Sequence, residues 1–177
     1  TDYVQLTPGK YITYRLDSLV FINFDHDPVI RKYQVKHVID AQITDNLGRP
    51  SYRVYRYIRD SVDINSWTPA QAWVPNGTYF ITPVGDQLEV VEDNLRFIKL
   101  HLPVRDGFSW KGNRNLPSDP YGPVHEFNVD DNMEDWDFFY DGPLSPYSYK
   151  NFTYADVLTV EQANEACSGG DDLFRHD

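Results

Sequence analysis

From Ile12 to Phe24 the chain alternates. Ile12, Tyr14 and Leu16 fall on one parity and Thr13, Arg15 and Asp17 on the other, and the first parity continues through Val20, Ile22 and Phe24. Successive side chains of a strand point to opposite faces, so a two-residue period over this length predicts a β-strand, bent near Asp17-Ser18. Asp25-His26-Asp27-Pro28 predicts a turn, because Asp side chains bond the local backbone and Pro cannot donate to a ladder. The rhythm then resumes, with Tyr33, Val35, His37, Ile39 and Ala41 on one face and Lys32, Gln34 and Lys36 on the other. The two segments predict a long hairpin.

The segment 44–50 predicts a loop in which Gly48 takes a positive φ. Ser51 to Arg59 predicts a third strand, with Tyr52, Val54, Arg56 and Ile58 opposite Arg53, Tyr55, Tyr57 and Arg59. Arginines set between tyrosines are placed to stack on the rings. Thr68 to Ala72 predicts one helical turn with Pro69 at its start. Asn76-Gly77 predicts a tight turn, followed by strands at Thr78 to Thr82, Gln87 to Val91 and Leu95 to Leu102. The turns between them fall at Val84-Gly85-Asp86 and Glu92-Asp93-Asn94. Ile98, Leu100 and Leu102 predict the inner face of the last of these strands.

Pro103 to Pro123 predicts a long loop, rich in Pro and Gly and holding Phe108 and Trp110; such loops are functional or packed down by their own aromatics. Trp136 to Tyr140 predicts a strand, Gly142 to Pro146 a turn, and Tyr154 to Gln162 a final strand, with a short helix over Val160 to Cys167 as the competing reading. Together these segments predict an all-β fold of about eight strands, either an antiparallel barrel of lipocalin-like type or a sandwich, with one long aromatic-rich loop. The expectation is a single domain over 1–167 and a flexible tail over 168–177.

Composition supports this picture and narrows the function. Of 177 residues, 15% are aromatic, with 13 Tyr, 10 Phe and 4 Trp, and this favours pleated, half-buried surfaces. The formal net charge of −11 argues against nucleic acid and against direct contact with an anionic membrane surface, since both need clustered Lys and Arg. The single cysteine, Cys167, excludes an intrachain disulfide and a Cys-rich zinc site. No apolar run reaches the ~18 residues of a membrane-spanning helix. No phosphate-loop, dinucleotide, zinc-protease, nucleophile-elbow or EF-hand spacing is present. No cofactor and no catalytic residue is expected.

Four segments carry a resemblance. Leu6 to Ser18 (LTPGKYITYRLDS), Asp45 to Val54 (DNLGRPSYRV) with Arg56-Tyr57, Leu102 to Asn113 (LPVRDGFSWKGN) and Val157 to Asn164 (VLTVEQAN) resemble an uncharacterised family of secreted lipoproteins of Bacteroidota-type bacteria. The stretch from Leu102 to Asn113 is the most specific. The resemblance implies a β-rich protein of the periplasm or cell surface, held by a lipid-bearing cysteine upstream of Thr1, with a binding or structural role and no catalysis. The implied partner is a small molecule, a glycan or another envelope protein.

Candidate sites follow from residue chemistry. Trp67, Trp73, Trp110 and Trp136 offer flat apolar faces for a sugar or small molecule, or else anchor core and loops. Asp130, Asp131, Glu134, Asp135, Asp137 and Asp141 supply oxygen ligands for calcium, or else form a solvated acidic segment. His26, between Asp25 and Asp27, is a candidate metal ligand or acid–base group, or else simply part of a turn, and His37, on an apolar strand face, is expected to be a satisfied core histidine. Arg53, Arg56 and Arg59 form either a positive stripe or pairs with the surplus carboxylates. Two alternatives stand beside the envelope-protein reading: a carbohydrate-binding or carbohydrate-processing domain, and a lipocalin-like carrier of an apolar small molecule.

Overall fold

The computed structural model describes residues 4–21, 28–61, 72–117, 120, 133–149 and 151–162. The described residues form eleven strands and one three-residue 3-10 turn, with no α-helix. Two compact units divide the chain, Thr1–Thr82 and Pro83–Asp177.

Six strands follow one another in the largest sheet: β1 (Tyr11–Phe21), β2 (Pro28–Thr44), β3 (Pro50–Asp60), β4 (Val74–Val84), β5 (Gln87–Glu92) and β6 (Leu95–His101). Their spatial order is their sequence order. This is the up-and-down connectivity of antiparallel barrels, and the predicted all-β antiparallel architecture is present. The β1–β2 ladder is unbroken from Tyr11↔Val38 to Phe21↔Pro28. Residues 22–27 and 62–71 lie outside the described residues, and with them most of the predicted turn at 25–28 and of the helical turn at 68–72.

The predicted loop after β2 is built around Asp45. Its Oδ1 accepts from the backbone amides of Leu47 and Arg49, both at 2.9 Å, and Arg49 Nε donates to Oδ2 at 2.7 Å. Gly48 takes φ +76°, as its residue type foretold. The bond from the Arg49 amide, followed by that residue's side chain and the Leu47 amide, holds the Asp45 carboxyl below its usual range despite an opposing desolvation effect. A lowered folded pKa gives order that is present above the unfolded value and lost as pH falls through the folded one. Asp45→Asn is therefore expected to speed amide exchange at Leu47 and Arg49 near neutral pH. In the unsubstituted protein the same loosening should begin only in acid; equal exchange in both proteins at neutral pH would refute the capping role.

Asn76-Gly77 is not a turn. Both residues lie inside β4, at a register shift opposite Arg56 and Tyr57. A Cβ on Gly77 would sit 2.9 Å from an Arg56 guanidinium nitrogen, the far end of a flexible side chain that can move aside. β4 is also longer than the predicted Thr78 to Thr82, running from Val74 through Pro83 to Val84. The turns at Gly85 (φ +59°) and at Asp93-Asn94 (φ +50° and +63°) are as expected, the latter in the left-handed form that matches strand twist.

The second unit completes itself with β7 (Ser109–Lys111), a 3-10 turn (Met133–Asp135), β8 (Asp137–Tyr140), β9 (Ser145–Tyr149), β10 (Phe152–Val157) and β11 (Val160–Glu161). A three-stranded sheet has the order β11-β8-β7, and β9 with β10 makes a separate two-stranded sheet. The Pro- and Gly-rich stretch contains a strand, β7, which pairs with β8 through Trp110↔Phe138. The predicted strand Tyr154 to Gln162 is two strands serving two sheets, broken at Leu158-Thr159. Residues 163–177, and so Cys167, most of the alternative helix and the predicted tail, lie outside the described residues.

Ile98, Trp110, Phe138 and Tyr140 form the buried core of this unit, with Leu100, Val104, Phe108, Trp136, Leu158 and Val160 packed against them. Ile98 and Leu100 thus lie on the inner face, as their parity predicted.

Candidate functional site

Residues directly opposite each other in an antiparallel ladder share a face. The pairs Ile12↔His37, Tyr14↔Val35 and Leu16↔Tyr33 place the even positions of β1 with the odd positions of β2. His37↔Arg56 and Val35↔Ile58 continue that face onto β3. Val54↔Tyr79 and Arg56↔Gly77 carry it onto β4. The result is an apolar face with a polar centre.

Tyr79 and His37 meet across β3, with Nδ1 and the phenolic oxygen 2.8 Å apart. Tyr14 packs edge-on against the same imidazole at a centroid distance of 5.5 Å. Burial raises the Tyr14 pKa, so its hydroxyl stays protonated well above neutrality. Arg56 Nε donates to Asn76 Oδ1 at 2.9 Å. Tyr14, Arg15, Leu16, Val35, His37, Arg56 and Asn76 line an open depression of about 330 Å³. Ile12, Tyr14 and Leu16 flank it with exposed apolar surface.

The opposite face uses its cations differently. Lys36 Nζ stands 4.5, 5.5 and 5.9 Å from the ring centroids of Trp73, Tyr57 and Tyr11. Arg59 stacks on Trp73 at 4.1 Å and donates through Nε to Gln34 Oε1 at 2.8 Å. Arg53 lies over Tyr55 at 5.3 Å and bonds Asp40 Oδ2 through Nε at 2.8 Å, which raises its pKa. The predicted arginine–ring stacking is present. The three arginines do not form one stripe, because Arg56 lies on the face opposite Arg53 and Arg59.

The four tryptophans have separate fates. Trp67 lies outside the described residues. Trp73 is half-buried between two cations, Lys36 and Arg59. Trp110 is only 7% exposed, donates its Nε1 to Ile98 O at 2.8 Å and is enclosed by Phe108, Phe138 and Tyr140. Trp136 packs against the same core. Of the acidic residues considered for calcium, Asp130 and Asp131 lie outside the described residues, as does His26. Among the described residues no three His, Cys, Asp or Glu side chains gather closely enough to hold a metal ion.

His37 is the satisfied histidine its parity suggested, though half-buried and not in a core. Tyr79 and Asn76 were not singled out by the sequence, because reading Asn76-Gly77 as a turn cuts β4 at the point where it meets Arg56. Against this geometry, no protein-family model matches the chain, and no curated protein or solved structure is significantly similar to it.

Proposed function

We propose that the chain is a non-catalytic binding domain of a bacterial envelope lipoprotein, and that the face centred on His37 and Arg56 holds a small apolar molecule with an acidic head group. One observation carries the ligand assignment: a guanidinium and an imidazole–phenol pair occupy the middle of a sheet face whose surroundings, Ile12, Tyr14, Leu16 and Val35, are apolar. An apolar body lying along the sheet would exclude water from Ile12 and Leu16, and the head would accept hydrogen bonds from Arg56. A volume of about 330 Å³ suits a small ligand. The envelope location rests on the resemblance carried by the four sequence segments.

Thermal unfolding with decanoate, decanol and decyltrimethylammonium tests the reading. A ligand that binds the folded form alone at a hundredfold excess over its Kd stabilises by about 2.7 kcal/mol. Decanoate is expected to raise the melting temperature, the cationic analogue is not, and Arg56→Gln should abolish the preference. Equal responses to all three heads, unchanged in Arg56→Gln, would refute it.

A further inference from the structure

The β9–β10 ribbon is the most exposed regular structure among the described residues. Every residue of β9 is exposed, and every residue of β10 up to Val157. The ladder pairs Tyr149 with Phe152 and Tyr147 with Tyr154, so all four rings stand on one face, in two rungs. They are 42%, 66%, 54% and 53% exposed in that order. The other face is polar: Ser148 and Thr153 face each other with their hydroxyl oxygens 3.0 Å apart. A two-stranded ribbon standing alone in water is marginally stable. Four rings turned outward on such an element point to a docking surface.

Charge and area select the occupant. Residues 142–157 contain one Lys and one Asp, so the ribbon is neutral within a chain of net charge −11. That charge repels anionic vesicles and nucleic acid, and it opposes a second copy of the same chain. The rings present roughly 400 Å² per chain, taking ~200 Å² for each aromatic side chain. Two such faces together bury less than the ~1,000 Å² that a specific protein–protein interface clears. The same patch is large enough to underlie a few sugar rings. Rungs repeat every two residues, roughly 6.8 Å along the ribbon, and a linear chain of pyranoses offers successive flat CH faces to such a tape. Tyr147 and Tyr154 add hydroxyls at the ring tips, where a sugar carries hydroxyls of its own.

We propose that the β9–β10 ribbon is a platform for a neutral linear polysaccharide, stacked on Tyr147, Tyr149, Phe152 and Tyr154. It is a separate site from the His37–Arg56 face and does not depend on it.

Affinity electrophoresis through gels containing hydroxyethyl cellulose, glucomannan or xylan tests this directly. The protein is expected to be retarded by at least one of them. Phe152→Ser and the double substitution Tyr147→Ser/Tyr154→Ser should each weaken apparent affinity by roughly tenfold or more, through loss of stacked apolar area. Tyr147→Phe/Tyr154→Phe keeps the rings and should retain most of the retardation, so a general loss of fold is separated from loss of the platform. Arg56→Gln should leave retardation unchanged. The proposal is overturned if no gel retards the protein, or if the serine variants migrate like the parent. Sedimentation that reveals a dimer dissociated by Phe152→Ser would overturn it in favour of a second copy. Co-sedimentation with phosphatidylcholine vesicles, lost in Phe152→Ser and without any glycan retardation, would overturn it in favour of a lipid surface.

Discussion

Gly112→Ala is expected to destabilise the protein by about 3 kcal/mol, at the upper end of what overpacking costs. A Cβ on this residue would lie 2.3 Å from Phe138 Cδ2 and 2.5 Å from two further ring carbons. The ring has nowhere to go: Phe138 is 1% exposed and packs edge-on to Trp110 at 5.9 Å. The backbone is held too, because Gly112 O accepts from Ile98 N at 2.7 Å. Denaturant unfolding reads the loss, and a change below ~0.5 kcal/mol would mean that the contact yields freely. Phe138→Leu opens the space, so the double variant should cost less than the two singles together, by about 1–2 kcal/mol of coupling.

The second large effect is expected at Tyr140. Its side chain is fully enclosed, and its hydroxyl both donates to His101 O at 2.6 Å and accepts from His101 N at 3.2 Å. One phenol thus satisfies both polar groups of a single residue at the end of β6. Tyr140→Phe keeps the ring and its contacts with Trp110 and Phe108. It leaves that amide and carbonyl without the phenol, which costs about 2 kcal/mol. For a chain of this length that is roughly 4–8 °C in melting temperature. An unchanged melting temperature would show that the His101 backbone finds other partners without cost.

Both positions show what the sequence makes readable. Tyr140 lies in a stretch whose strand character was plain, yet its bond to His101 joins residues 39 apart, and nothing local announces it. Gly112 sits in the stretch predicted as a long loop, and its partner Phe138 lies across a sheet that the Pro- and Gly-rich composition concealed. The long strands β1 and β2 were legible because one face of each differs chemically from the other, and β3, with aromatic or apolar groups on both faces, through its residue types between turn signals. β7, three residues long, is too short for a period to register. Asn76-Gly77 misled because the dipeptide that favours a turn also suits an irregular strand, here at the register shift opposite Arg56 and Tyr57. The residues of the candidate site were legible one by one. Their meeting depends on the β2–β3–β4 register, and the shift between Arg56 and Tyr57 that sets it leaves no mark in hydrophobic alternation.

The balance of charge affects how this molecule greets a diffusing solute. Stacking on uncharged rings leaves the charges of Lys36, Arg53 and Arg59 intact, yet with all the cations counted the net charge is still −11, and from afar the protein is an anion. A negatively charged visitor bound for Arg56 must climb that repulsive potential before it feels the local guanidinium. Dissolved salt, which shortens the reach of such fields to about 8 Å at physiological strength, would therefore quicken its arrival instead of slowing it, the reverse of the usual behaviour when an arginine receives an acid.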